Sequence, residues 1–191
     1  MKEFPKREEV LKLFLKYNES EALYKHALQV EAVMRHFAEV FNENPDEWGV
    51  VGLIHDLDYE KYPDRHCEMT EKILREEDYP EEFIRAVLSH GYKIVTDIEP
   101  LSNMEKVLYT IDELTGLINA TCLMRPSRSV LDLSVKSLNK KFKDKRFAAG
   151  VDREIILDGM ERLGWDRQYL FEETIKGMQK YAEEIGLKGN L

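Results

Sequence analysis

The sequence predicts an all-α protein, and three observations support this fold class. Apolar residues recur at helical spacing along most of the chain, for example at Val30, Val33 and Phe37. Glycine and proline are few, 10 and 6 of 191 residues, which favours long regular elements. Residues 92–98 have the composition of a short strand, but no second segment offers them a pairing partner. We therefore expect a helical bundle with short connections, forming a single domain over residues 1–191.

Prolines and glycines mark the ends of the predicted helices. Five prolines fall between the periodic segments, and proline suits the first turn of a helix because its missing N–H has no partner there. Three glycines lie where helices would stop, as expected for C-terminal caps. The predicted helices cover residues 6–18, 20–43, 46–56, 64–78, 80–91, 102–120, 128–142, 152–163 and 166–186.

The composition excludes several classes of protein. The formal net charge of −9 disfavours a nucleic acid as partner, since binding to the phosphate backbone needs positive charge. No apolar run approaches the roughly 18 residues of a membrane span, so we expect no membrane partner. The first residues are charged without the apolar stretch of a signal peptide, and two cysteines are too few for a disulfide framework. A cytoplasmic, soluble protein is expected.

Positive charge is concentrated in residues 121–150, which contain eight lysine or arginine residues and two acidic ones. This segment can be a solvated helical face that balances acidic neighbours. It can also be an anion-binding strip for a phosphorylated small molecule, because arginine and lysine hold phosphate well. In the second interpretation, Arg125, Arg128, Lys140 and Lys141 bind the substrate.

Two histidines lie on the second predicted helix and a third ends the next one. His26 is near the centre of the apolar stripe, where it is either a hydrogen-bonded core residue or a ligand. His36 falls on the flank of the same helix, and we expect it to be solvated. His55–Asp56 follows an apolar run directly at the end of its helix, although such a dipeptide is a weak signal by itself.

Asp112 lies at the edge of an apolar stripe, where a carboxylate must be exposed, paired or bound to a metal. No lysine or arginine stands three or four residues away from it to act as a local partner. His66 and His90 lie at predicted helix ends, from which a side chain reaches either a shared cavity or solvent.

This order of residues resembles the HD-domain superfamily of metal-dependent phosphohydrolases. The resemblance is carried by four stretches, YKHALQV, VVGLIHDLDYEKYPDRH, FIRAVLSHGY and LYTIDELTG. It implies an HD-domain helical core over residues 20–120, with additional C-terminal helices over residues 121–191. The H…HD…D pattern is matched by His26, His55, Asp56 and Asp112. Two further histidines of the family are matched by His66 and His90.

The resemblance also implies one or two divalent transition-metal ions. In binuclear relatives two further histidines, here His66 and His90, serve a second ion that the aspartate of the HD pair bridges. Imidazole and carboxylate ligands suit Fe, Mn, Zn, Co or Ni, and the lack of a thiolate in this set disfavours a structural zinc site. The primary ion would be bound by His26, His55, Asp56 and Asp112.

The implied reaction is attack of a metal-activated water on phosphorus. Many relatives carry Lys or Glu three residues after the aspartate of the HD pair, whereas this chain has Tyr59. Asp58, Glu60 and Lys61 are close enough to substitute. We expect Asp56, Asp58 and Lys61 to act in catalysis, with Lys61 contacting phosphate. The sequence HGYK at residues 90–93 is not followed by the GYP of cyclic-di-GMP phosphodiesterases.

Three functions are consistent with this sequence. The leading hypothesis is a phosphohydrolase, a phosphatase or phosphodiesterase that acts on a small phosphorylated metabolite, with a nucleotide as the expected substrate. A di-iron oxygenase of the HD type needs nearly the same ligands. A non-catalytic nucleotide-binding sensor would keep the fold, but a degenerate site usually loses its ligands first. The oligomeric state is left open by the sequence.

Overall fold

The computed structural model describes residues 3–191, which fold into nine α-helices and two short 3-10 turns at Pro63–Arg65 and Ser89–Gly91. The all-α prediction is confirmed. None of the helices in this described part is both long and apolar enough to cross a lipid bilayer. The helices are α1 (Arg7–Tyr17), α2 (Glu21–Phe41), α3 (Pro45–Ile54), α4 (Glu68–Glu76), α5 (Glu81–Leu88), α6 (Asn103–Leu123), α7 (Val135–Lys143), α8 (Arg153–Leu163) and α9 (Arg167–Lys180).

Three predicted helices differ from the structure by four residues or more, and one of them, predicted over residues 166–186, ends at Lys180. The helix predicted over residues 64–78 begins at Glu68, because His66 is extended and Cys67 has a positive φ of 69°. The helix predicted over residues 128–142 begins at Val135, after a loop. Residues 92–98 form a turn that holds one isolated bridge between Tyr92 and Thr96, and no strand.

The long helix α2 is the centre of the bundle and packs against α3, α6 and α9. Its N-terminus is capped by Ser20, whose hydroxyl accepts the Leu23 N–H, and it ends at Asn42 in the left-handed conformation. Side chains from all nine helices join one apolar core. Helix α3 approaches α2 closely at Gly52, because glycine has no Cβ. A Cβ there would lie only 2.9 Å from the Met34 side chain.

His36 is buried, so the prediction that it is solvated was wrong. Helix α9 covers that flank of α2, and His36 Nε2 lies 2.8 Å from a carboxylate oxygen of Glu173. The two helices approach closely at Gly177, where a Cβ would come within 3.0 Å of the His36 Cβ. The flank of α2 is therefore a second buried face, which a single amphipathic stripe does not reveal.

The packing of α8 against α6 predicts a sensitive position at Gly159. A Cβ at Gly159 would lie 2.6 Å from the Cβ of Thr110, which is itself fully buried. We expect Gly159→Ala to lower the free energy of unfolding by about 1–3 kcal/mol through overpacking. Gly150→Ala is the matched control, since a Cβ there meets nothing within 4 Å, and we expect it to change stability by less than about 0.5 kcal/mol. Chemical denaturation measures both, and equal stability of the two variants would contradict this packing.

Candidate metal centre

Four side chains from three elements converge at the centre of the fold. His26 comes from α2, Asp112 from α6, and His55 and Asp56 from the end of α3. One ligand atom from each lies within 4.8 Å of all the others. His26 Nε2 is 2.9 Å from Asp112 Oδ1, and His55 Nε2 is 3.2 Å from Asp56 Oδ2 and 3.3 Å from Asp112 Oδ1. Atoms that share a metal ion at bonds of about 2.0–2.2 Å are separated in this way.

Local structure explains why His55 and Asp56 point inward. The last turn of α3 is buried on all sides, with Val50, Val51 and Ile54 in the core, so the residues that follow it begin inside the protein. His55 continues the helical conformation, with φ of −55° and ψ of −34°. Its imidazole is fully buried, and Asp56 beside it is nearly so.

One nitrogen in this cluster forms no hydrogen bond with any described residue, although two carboxylate oxygens lie close to it. His55 Nδ1 donates to the Gly52 carbonyl oxygen at 2.7 Å, which leaves Nε2 as the nitrogen with a free lone pair. His55 Nε2 is buried and forms no hydrogen bond. An unpaired buried polar atom costs about 1–3 kcal/mol, and a cation among these donors would satisfy it. Two imidazoles and two carboxylates also form a donor set that divalent transition metals favour, so these residues fit a metal ion.

A second pair of histidines adjoins this cluster across Asp56. His66 Nε2 and His90 Nε2 lie 3.1 Å apart, and Asp56 Oδ1 is 3.4 Å from the first and 3.6 Å from the second. The other carboxylate oxygen of Asp56 faces His26 and His55. The two oxygens of Asp56 thus point to different groups of histidines, which is the arrangement that a bridging carboxylate requires.

The nitrogens of the second pair are also oriented by hydrogen bonds. His90 Nδ1 donates to the Val87 carbonyl oxygen at 2.6 Å, and His66 Nδ1 is 2.7 Å from Asp58 Oδ1. Asp58 is fully buried and also accepts the Thr70 N–H at 2.8 Å. The two Nε2 atoms therefore face each other and are the nitrogens that a metal ion could bind.

The charges of the cluster are strongly coupled. Burial lowers the pKa of His55, but the negative charges of Asp56 and Asp112 outweigh burial and raise this pKa to about 10. Burial raises the pKa of Asp112, but the positive charge of His55 holds it well below its usual range. Protons therefore balance the carboxylates when no metal is bound. A metal ion must displace those protons, which makes its binding weaker at low pH.

The centre opens into a cavity of about 360 Å³. Its floor is polar and includes His26, Asp56, His66, His90, Asp112 and Glu113. Its rim is largely apolar and includes Leu23, Tyr59, Ile94, Val95 and Val151. Among the described residues, no lysine or arginine lines this cavity.

Two residues expected to act in catalysis do not line the cavity. Asp58 lies behind His66, as described above. Lys61 points away from the centre, where its ammonium group donates to the Lys16 carbonyl oxygen at 3.0 Å and lies over the Tyr17 ring. Sequence proximity to the HD pair suggested both roles, but the chain turns after Asp56 and separates these side chains from the opening.

The basic residues that were expected to bind substrate also lie outside the cavity. Arg125 forms an ion pair with Asp132 at 2.7 Å. Lys140 lines a different groove, between α7 and α9, and Lys141 lies over the Phe147 ring. Arg128 is exposed in the loop before α7, with a φ of 50°. The structure does not bring any of the four to the cavity lining, and α7, which carries Lys140 and Lys141, packs on α6 and α9.

Sequence reasoning missed two residues of the site. Glu113 lines the cavity beside Asp112, and burial together with the Asp112 charge raises the pKa of Glu113 to about 7. Cys67 is fully buried, and its Sγ lies 3.9 Å from His90 Nε2. Glu113 directly follows a candidate ligand and Cys67 directly follows His66, so their positions next to ligands were the available signal.

Comparison with known proteins agrees with this geometry. The family model of the HD domain matches residues 23–117, a range that contains all six candidate ligands. Searches of curated proteins and of solved structures found no match to this chain. The helical fold and the converging histidines and aspartates agree with the family match. The chain therefore belongs to the HD-domain family, whose members are mostly metal-dependent phosphohydrolases.

Proposed function

We propose that the protein is a phosphohydrolase that uses two divalent metal ions to hydrolyse a small phosphorylated metabolite. The observation that carries this proposal is the position of Asp56 between two groups of histidines at the floor of an open cavity. Divalent ions bound there would supply the Lewis acidity that activates water and offsets the charge of a phosphoryl group. Fe, Mn, Zn, Co and Ni are the candidate ions, since all accept imidazole and carboxylate ligands.

Each ligand has a proposed place in this centre. The second ion would be held by His66 and His90, with Asp56 bridging the two ions. The chain's own contribution is to fix these donors before substrate arrives, through the hydrogen bonds of His55, His66 and His90 to their buried acceptors. The primary ion would be held by His26, His55, Asp56 and Asp112.

The cavity lining favours a substrate with a single phosphate. Carboxylates line the floor and, among the described residues, no lysine or arginine does, so only the ions would offset phosphate charge there. Additional phosphates would meet Glu113 or the apolar rim without a cationic partner. A phosphomonoester with an apolar or aromatic part, such as a nucleoside monophosphate, matches both regions. The exposed Tyr59 ring at the rim offers a stacking surface for a base.

Glu113 is the proposed proton donor to the leaving group. Its side chain lines the cavity, and one carboxylate oxygen accepts the Asp152 N–H at 2.9 Å, which holds it in place. It is not one of the candidate ligands, so its carboxyl group stays available for proton transfer. A general acid within hydrogen-bond reach of the leaving oxygen contributes about 10²–10⁴-fold to rate.

The described residues that line the cavity include no lysine or arginine, and this also favours a second candidate. An oxygenase of the HD type would need the six ligands but no group for a multiply charged substrate. The two functions consume different reactants, since one releases phosphate and the other takes up dioxygen. A single assay that follows both therefore separates them.

We expect metal-dependent release of phosphate from nucleoside monophosphates. The protein is freed of metal with a chelator, reloaded with each candidate ion, and assayed on nucleoside mono-, di- and triphosphates and on a phosphodiester. kcat/KM should be highest for monophosphates, and Asp56→Asn should abolish turnover. Dioxygen uptake without phosphate release would indicate that the protein is an oxygenase and not a hydrolase. Nucleotide binding with neither reaction would indicate a sensor, and turnover unaffected by chelation would contradict both enzymes.

Tyr59→Ala is expected to raise KM for a nucleoside monophosphate while metal content stays normal. Stacking of a base on an aromatic ring is worth about 1–3 kcal/mol, so KM should rise roughly fivefold to a hundredfold. Arg125→Gln is the matched control, because Arg125 pairs with Asp132 outside the cavity, and its KM should change by less than about twofold. A larger rise of KM in Arg125→Gln than in Tyr59→Ala would instead indicate that the basic segment at residues 121–150 binds the substrate.

A further inference from the structure

Cys67 lies against the second group of histidines. It is fully buried between the turn at Pro63–Arg65 and the start of α4. Its Sγ is 3.9 Å from His90 Nε2, and the ligand atoms of His66, Cys67 and His90 all lie within 4.8 Å of one another. The sulfur faces the cavity wall at Gly91, where a Cβ would come within 2.9 Å of it.

The separations among these donors match those around a shared ion. The two Nε2 atoms are 3.1 Å apart and Asp56 Oδ1 is 3.4 and 3.6 Å from them. The sulfur lies 3.9 Å from His90 Nε2, farther than these atoms are from one another. A metal–sulfur bond of about 2.3 Å is longer than a metal–nitrogen bond of about 2.0–2.1 Å, so a shared ion requires this larger separation.

Cys122, the second cysteine of the sequence, provides a comparison for Cys67. Cys122 is also fully buried, on α6, but it belongs to no group of candidate ligands. It lies ten residues beyond Asp112, which is about 15 Å further along the helix. Burial alone therefore does not distinguish the two cysteines, whereas the neighbouring imidazoles of Cys67 do.

We propose that Cys67 is a ligand of the second metal ion, together with Asp56, His66 and His90. This inference rests on the proposed function, because it presupposes that the second position holds a metal. The expectation of a site without thiolate would then apply only to the primary position. A soft sulfur ligand favours Zn²⁺, Co²⁺ or Fe²⁺ over Mn²⁺ or Mg²⁺. The two positions would consequently differ in metal preference, although they share the Asp56 carboxylate.

Cobalt is the probe that tests this ligand directly. The metal-free full chain is titrated with Co²⁺, and absorption is recorded for the unaltered protein, Cys67→Ser and Cys122→Ser. A thiolate bound to Co²⁺ gives a near-ultraviolet charge-transfer band that imidazole and carboxylate ligands do not give. We expect the band to develop with the second equivalent of Co²⁺, to be lost in Cys67→Ser, and to be retained in Cys122→Ser.

X-ray absorption at the cobalt edge of the unaltered protein makes the test independent of how well the variants fold. A sulfur neighbour at about 2.3 Å is expected when two ions are bound. Two bound ions without a sulfur neighbour or a charge-transfer band would overturn the role of Cys67 and leave the binuclear centre standing. A band of equal strength in Cys67→Ser would also overturn it. Binding of one ion only, without sulfur, would contradict both Cys67 as a ligand and the binuclear centre.

Discussion

The structure depends on one electrostatic constraint, the burial of two carboxylates among four imidazoles. Asp56 and Asp112 lie within the core region of the bundle, where an uncompensated charge costs several kcal/mol. Their negative charges raise the pKa of His55 to about 10 despite its complete burial, so a protonated His55 offsets them in the absence of metal. A divalent ion supplies the same positive charge without the protons and gives the unpaired His55 Nε2 a partner.

The surrounding fold holds these groups in a fixed orientation. Backbone carbonyl oxygens of Gly52 and Val87 bind the Nδ1 atoms of His55 and His90, and the buried Asp58 carboxylate does the same for His66. Asp58 thus acts on the centre through His66 and has no access to the cavity. Such outer partners fix the tautomer of a ligating imidazole, and their loss commonly lowers metal affinity about 10–100-fold.

The sequence was informative where chemistry is local and uninformative where it depends on distant packing. The apolar stripes predicted the helices, and the stretch around His55–Asp56 led to the family. The burial of His36 could not be predicted, because its partner Glu173 lies 137 residues away and arrives with α9. The basic segment was likewise ambiguous, since charge alone does not say which face of α6 the helix α7 covers. Cys67 directly follows His66 in the sequence, but its distance to His90 is needed to show that its sulfur lies against the second group of histidines.

Metal content of single-residue variants tests the central claim most directly, namely that two groups of ligands surround Asp56. The unaltered protein, reloaded and freed of excess metal, should hold two ions per chain. His66→Ala and His90→Ala should hold one, whereas His55→Ala should lose the primary ion. His36→Asn is the control, since His36 binds Glu173 outside the centre, and it should hold two. Loss of both ions from the His66 and His90 variants, or retention of two ions in all three variants, would contradict the account.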